Sequence, residues 1–357
     1  MSEKELFVVK VGSNTVVDDN GEIRTSVIQD ILSSIKELAD NDHRVILVTS
    51  GAVKLGRKEI SDPAASLSSL ASIGQVRLFG AYLQEAEKCN VSIAQFLLAR
   101  PYIVERKHFL NLQKTVRGLF ANKKIPVINE NDALVANTDW SFGDNDSLAA
   151  AVAIAFEAKK LIIVSHIDGL FNADPQDERE AKLIPSVTDV NAELLKCASK
   201  NTSSGGRGGM FSKLKAARII TAVGIQGHII NGSVQGNLRK VMHGESVGTV
   251  FLPRKRKDKI SNRDRWLLAA KNSAGSLEVD NGAIDALKKG KSLLAVGVKK
   301  VHGQFGAKEI IEIVDTNKQG VAFGIVDFSN KEIDSILDGN DLYGKLLMHS
   351  DNILRIA

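Results

Sequence analysis

Ile125-Pro126-Val127-Ile128 runs directly into Asn129-Glu130-Asn131-Asp132. Shortly after, Gly143-Asp144-Asn145-Asp146 opens the apolar segment Leu148 to Phe156, ahead of Leu161-Ile162-Ile163-Val164. A short uninterrupted apolar run suits a strand buried on both faces, and the longer stretch Asp146–Ala158 suits a helix. Strand, polar turn, helix, strand is the repeating unit of a parallel sheet covered on both sides. The two polar tetrads mix acids with amides at the end of a buried strand. They suit a small ligand carrying both amine and carboxylate, because Asp accepts from an ammonium and Asn can donate to a carboxylate.

The same alternation continues in both directions. Further apolar runs are Leu6–Val11, Val45–Val48, Val91–Leu98, His228–Ile230 and Thr249–Leu252. Candidate helices are Thr25–Asn41, Gly74–Cys89, Phe109–Asn122 and Met210–Val223. The expectation is an α/β domain over residues 1–253, with ligands beyond the carboxyl ends of the strands. From about Asn262 the pattern changes to short segments with frequent Gly: Ser276–Val279, Ser292–Ala295, Gly297–Val301, Ile310–Val314 and Gly320–Asp327, with one helix at Asn281–Lys289. This predicts a small β-barrel-like domain over residues 263–357.

Composition narrows the class. The 357 residues carry a net charge of +5 and are 43% hydrophobic, an ordinary soluble balance. No apolar stretch approaches the ~20 residues needed to span a bilayer, so no membrane partner is expected. The start, Met1 to Leu6, lacks the basic and apolar regions of a signal peptide. Cys89 and Cys197 have no metal-ligand spacing, and the seven His form no H-x-x-x-H pair. A cytoplasmic protein without a protein-built metal site is expected. Arg254, Lys255, Arg256, Lys257 and Lys259 form one basic run, which reads as a solvated linker over residues 254–262. Residues 263–357 hold 13 basic and 13 acidic side chains. That neutral balance argues against RNA as the main partner.

Several strand ends carry Gly or polar turns: Lys10-Val11-Gly12-Ser13, Thr49-Ser50-Gly51-Ala52 and Ser165-His166-Ile167-Asp168-Gly169. Lys10 sits inside an apolar run and needs an anionic partner, either a structural carboxylate or a phosphate. Thr202 to Lys213 is Gly-rich and leads into a helix. It reads as a linker or as a phosphate loop, and its place inside the α/β domain favours the loop. It has no G-x-x-x-x-G-K-[ST] spacing, and no G-x-G-x-x-G follows the first strand. Two lysines, Gly-rich turns and an acidic island together fit phosphoryl transfer, which needs positioning and cations more than covalent chemistry.

These motifs, with Ala71-Ser72-Ile73-Gly74-Gln75, Gly208-Gly209-Met210-Phe211-Ser212-Lys213 and Arg263-Asp264-Arg265-Trp266, resemble the amino acid kinase family. They are most similar to its glutamate-phosphorylating branch, which ends in a PUA domain; other branches share the Lys and Gly pattern but not the paired islands. The resemblance implies an open three-layer α/β/α sandwich with a mostly parallel sheet. It implies transfer of the ATP γ-phosphate, with Mg²⁺, to the side-chain carboxylate of L-glutamate, the first step of proline biosynthesis. Lys10 and Lys213 would stabilise the transferring phosphoryl group and Asp146 would organise them. Ser50, Asp132 and Asn145 would bind glutamate. Lys10, Gly12, Ser165, His166, Arg207, Gly208, Gly209, Met210, Phe211, Ser212 and Lys213 would line ATP. A homo-oligomer, dimer or tetramer, feedback inhibition by proline and hand-off to glutamyl phosphate reductase are also implied. Two positions depart from the family: Ser165-His166 stands where Thr-Asp is common, and Arg207 where Thr is common. A histidine cannot copy a carboxylate's acceptor pattern. Arg207 either adds a phosphate contact or points to solvent. Glu130 and Asp144 receive no role.

Overall fold

The structure is a computed structural model that describes residues 4–173, 180–191, 194–195, 209–254, 261–269, 275–339 and 344–355. Two compact units emerge: Met1–Val190 with Leu195–Lys257, and Asn191–Leu194 with Asp258–Ala357. Arg207, Gly208 and Lys255 to Lys259 lie outside the described residues.

The first unit is built on strands β1 (Leu6–Val11), β2 (Arg44–Val48), β3 (Ile93–Leu98), β4 (Ile125–Glu130), β5 (Lys160–Ser165), β6 (Ser186–Val187), β7 (Gln226–Asn231) and β8 (Thr249–Phe251). Their order across the sheet is β3-β4-β2-β1-β5-β7-β8-β6. All neighbours run parallel except β7 and β8. The mostly parallel sheet expected from the apolar runs is present. Val, Ile and Leu dominate β1, β2 and β5 because these strands are covered on both faces, where β-branched side chains pack well. The core includes Val9, Val11, Ile35, Leu47, Ile162 and Ile230, each at most 1% exposed.

β1 lies between β2 on one side and β5 on the other, and the chain winds outward in both directions from there. Such a reversal leaves a crevice at the strands' carboxyl ends, where the flanking connections diverge. Lys10 stands at that end of β1, in register with Val48 and Ile163. Among the described residues no helix is long and apolar enough to cross a membrane.

Some element boundaries differ from the sequence reading. The helix expected at Gly74–Cys89 begins at Leu67, where the Ser66 hydroxyl accepts from the Ser69 N–H. A separate helix, Ala52–Glu59, precedes it. The two cross closely through glycines. A Cβ on Gly56 would lie 1.9 Å from the Leu70 carbonyl oxygen, and one on Gly74 would lie 1.8 Å from that of Ala52. Only a bare backbone fits there.

In the second unit, β9 (Gly275–Val279), β11 (Val298–Gly303), β12 (Ile310–Val314), β13 (Gly320–Ile325) and β15 (Ile353–Arg355) form a sheet in the order β11-β9-β12-β13-β15. β10 (Leu293–Leu294) pairs with β14 (Leu346–Met348). Leu277, Ile311, Ile313 and Leu347 fill its core. The expected helix appears at Asn281–Lys288, and a further helix, Asn330–Asp338, starts from a capping box of Ser329 and Glu332.

Candidate active site

Three ionisable side chains that the sequence scatters over 200 residues meet at this end of the sheet. Lys10 Nζ lies 2.7 Å from Asp146 Oδ1, and Lys213 Nζ lies 3.3 Å from Asp146 Oδ2. The Ser212 hydroxyl donates to Asp146 Oδ2 at 2.7 Å and lies 2.8 Å from the Gly209 carbonyl. Asp146 is fully buried, and both lysines are 5% exposed. Burial alone would raise the Asp146 carboxyl, but the two lysines and the hydroxyl outweigh it and hold it at about 2. Lys213 is shifted down by burial, against the pull of Asp146.

Local sequence explains each placement. The helix Asn145–Ala155 is buried from Leu148 to Ala155, so an acid in its first turn is carried into the interior. Asp144 caps that helix, accepting the Ser147 N–H at 2.7 Å. Lys213 occupies the first turn of the helix Met210–Ala222, where the helix dipole disfavours a cation. Asp146 offsets that penalty. Asp146 bridges the two lysines beside two helix N-termini, and Asp144, which caps one of those helices, adds a second acid to their surroundings. Backbone N–H groups at helix N-termini together with two lysines suit a phosphate.

A second network joins the polar island to the loop after β2. The Asn145 amide donates to the Thr49 carbonyl at 2.7 Å and to Asn129 Oδ1 at 2.9 Å. Asn129 in turn donates to Gln75 Oε1 at 2.7 Å and accepts the Glu130 N–H at 2.9 Å. Both amide hydrogens of Asn145 are therefore committed, and only its Oδ1 remains for a ligand. The sequence reading gave Asn the task of donating to a carboxylate; at Asn145 the network leaves an acceptor instead. Asp132, opening the short helix Asp132–Val135, supplies further acceptor oxygens. Ser50 is half-buried and follows Thr49 directly, which ties it to Asn145 through one residue. Ahead of the helix Ala52–Glu59, Gly51 adopts a φ of 115°, a left-handed turn suited to glycine.

The remaining expected residues divide. The Gly12 N–H is donated to the Val164 carbonyl at 3.1 Å and is therefore committed within the fold. Ser165 is buried at the end of β5 and its carbonyl accepts the Gly232 N–H at 2.8 Å. His166 is largely exposed, and partial desolvation of its ring together with Lys213 and Lys54 lowers its pKa. Gly209, Met210, Phe211 and Ser212 form the start of the helix that carries Lys213. Sequence reasoning quoted Asn129, Gln75 and Thr49 within motifs but gave none of them a role in the site. The Asn-Glu-Asn-Asp run did flag Asn129, but its partners lie too far along the chain for spacing to reveal.

Two buried lysines bridged by an aspartate at the switch point of a parallel sheet define a phosphate-handling α/β domain. The chain belongs to the amino acid kinase family: residues 5–231 match that family, and residues 275–341 match the PUA domain. Among its curated relatives is the glutamate 5-kinase of Pelagibacter ubique, 34% identical, with 94% of this chain and 92% of that protein covered. Another is the glutamate 5-kinase of Caldanaerobacter subterraneus subsp. tengcongensis, 38% identical, with 92% of this chain and 90% of that protein covered. The fold is similar to that of a solved isopentenyl phosphate kinase substrate complex, with a TM-score of 0.51 at 14% identity, covering 69% of this chain and 99% of that one.

Proposed function

We propose that the chain is a glutamate 5-kinase, transferring the γ-phosphate of ATP to the side-chain carboxylate of L-glutamate and yielding L-glutamyl 5-phosphate, the first step of proline biosynthesis. The observation that carries the chemistry is the Lys10–Asp146–Lys213 bridge. The acceptor assignment comes from the near full-length relatives that bear this name.

The steps follow from charge. The acceptor carboxylate is already ionised at neutral pH, so no protein base is required. Lys10 and Lys213 take up the charge that builds on the phosphoryl oxygens in flight. Asp146 keeps both ammonium groups aimed without contacting the phosphate itself. Asp132 and the free Oδ1 of Asn145 receive the amino group of glutamate, and Ser50 donates to its α-carboxylate. Gly12, Ser165, His166, Arg207, Gly208 and Gly209 through Lys213 line the nucleotide.

Among the described residues, no group of three or more His, Cys, Asp or Glu side chains is placed to hold a metal ion. Magnesium would arrive with the nucleotide substrate and would supply screening of the polyphosphate charge. The finer parts of the reading are residues 1–253 as the kinase domain, 254–262 as a basic linker and 263–357 as the PUA domain, in a cytoplasmic dimer or tetramer. They also include feedback inhibition by proline and hand-off of the labile product to glutamyl phosphate reductase.

Trapping the acyl phosphate with hydroxylamine tests the reading. With ATP, Mg²⁺ and glutamate, hydroxamate forms, and proline suppresses it. Absence of hydroxamate with glutamate, alongside turnover of aspartate or acetylglutamate, would overturn the substrate assignment.

A further inference from the structure

Glu130 is the last residue of β4 and only 4% exposed. Its carboxylate accepts the Phe142 N–H at 2.5 Å and also takes a hydrogen bond from the Ser141 side chain. Two residues earlier, the Trp140 carbonyl accepts the Arg100 N–H at 2.8 Å, just beyond β3. The Asn131 N–H is donated to the Leu98 carbonyl at 2.8 Å, which ties the ends of β3 and β4 together. Residues 140–142 are thus pinned to two adjacent strand ends.

Only Gly143 and Asp144 separate this anchor from Asn145. Gly143 has a φ of +84° and open space around it, so it imposes no direction by packing. The other end of the connection is fixed by Asp144, which caps the helix through Ser147. Asn145 must aim one amide at both Thr49 and Asn129. A shift of the anchor at Phe142 propagates along this short connection to that amide. In the reading above, Asn145 and Asp132 receive the acceptor's amino group; Glu130 stands two residues before Asp132 and holds Phe142 in the connection that runs on to Asn145.

We propose that Glu130 is a positioning residue for the acceptor substrate, its side chain reaching across from β4 to hold the Phe142 N–H so that Asn145 faces the amino group. The inference rests on the assignment of the acceptor site to Asp132 and Asn145. What matters is reach and acceptor oxygen. Aspartate is shorter by about 1.5 Å, one C–C bond, and falls short of Phe142. Glutamine spans the distance and keeps the carbonyl oxygen.

The test is steady-state hydroxamate formation by Glu130→Asp, Glu130→Gln and Glu130→Ala in the full chain, with far-UV circular dichroism as a check on folding. Aspartate and alanine raise KM for the acceptor by about tenfold, while kcat and KM for ATP stay within about threefold. Glutamine recovers most of the lost affinity. The proposal is overturned if the aspartate variant keeps its acceptor KM, if kcat and both KM values deteriorate together, or if glutamine rescues nothing. Should the alanine variant not fold, the aspartate and glutamine pair decides alone. A wild-type chain inactive on glutamate but active on another acid overturns the substrate reading, and the same variant series on that acid then reads Glu130 separately.

Discussion

Lys10 Nζ and Asp146 Oδ1 lie 2.7 Å apart, with side-chain exposures of 6% and 0%. Removing the acid takes from the buried Lys10 and Lys213 the carboxylate they share. Breaking a buried pair in this way costs about 3–5 kcal/mol. Asp146→Asn keeps the shape and the Ser212 contact but loses the charge, so a clear fall in the urea midpoint is expected. In any folded fraction, kcat should drop by about a hundredfold or more. An unchanged kcat would remove Asp146 from the organisation of the lysines.

Lys213→Met separates binding from chemistry. The stem is retained and the ammonium is lost, so the charge developing on the phosphoryl group loses one of its two cations. The expected result is a kcat lower by about a hundredfold, with KM for glutamate within about threefold. A variant with wild-type kcat would exclude the ammonium from the transition state.

Asn145→Asp reverses the polarity of a single contact. The carboxylate would face the Thr49 carbonyl and Asn129 Oδ1, which lie 2.7 Å and 2.9 Å from the amide nitrogen it replaces. Acceptor would meet acceptor, and the side chain must turn away. KM for glutamate is predicted to rise about tenfold or more while KM for ATP changes little. Equal rises in both constants would show general damage in place of a lost acceptor contact.

The distance between these partners explains what the sequence could reveal. Apolar runs announced β1, β2, β4 and β5 almost to the residue, because strands covered on both faces allow few polar substitutions. The two-residue β6 and the eight-residue helix Ala52–Glu59 left no comparable signal. The helix Asn330–Asp338 did leave one, in the Ser329 and Glu332 capping box, but the expected elements did not include it. Lys10 and Lys213 stood out as charges in apolar or Gly-rich surroundings, whereas Asp146 was one acid in a polar island and took its role only from the family resemblance. The committed donors of Asn145 were not legible, since Thr49 lies 96 residues earlier and its carbonyl belongs to backbone geometry alone.

Gly74 and Gly80 share one helix but differ in surroundings. A Cβ on Gly74 would lie 1.8 Å from the Ala52 carbonyl oxygen, whereas one on Gly80 meets nothing within 4 Å. Gly74→Ala must force the two helices apart, at a cost of about 1–3 kcal/mol or more. Gly80→Ala should instead stabilise the chain by about 0.5–1 kcal/mol through helix propensity. Thermal unfolding of both variants checks the contrast, and equal shifts would refute the close crossing.

His228 is 7% exposed on β7, and neither ring nitrogen has a hydrogen-bond partner among the described residues. Burial, reinforced by Lys160, depresses its pKa from 6.5 to about 4. The folded state therefore favours the neutral ring. Between these values the unfolded chain takes up the proton first, so stability falls as the pH drops. About 3 kcal/mol is lost by pH 4. His228→Leu should remove that portion of the acid sensitivity. A variant whose stability falls with acid as steeply as the parent's would contradict the assignment.

Glu130 produces the opposite dependence. Burial, countered by Phe142 and Ser141 and reinforced by Asp132 and Asp144, raises its pKa from 4.5 to about 7. The folded state favours the protonated acid, and in this window the unfolded chain ionises first. Stability is thus lost as the pH rises from 4.5 to 7, amounting to about 3 kcal/mol above pH 7. Glu130→Gln mimics the protonated form at every pH. Against wild type, it should gain most of that amount at pH 8 and almost nothing at pH 4, since both chains then carry a neutral group there. Urea unfolding at the two pH values reads the difference, in which the other carboxylates cancel. The same gain at both pH values would mean that glutamine packs better, and that Glu130 is not protonated in the fold.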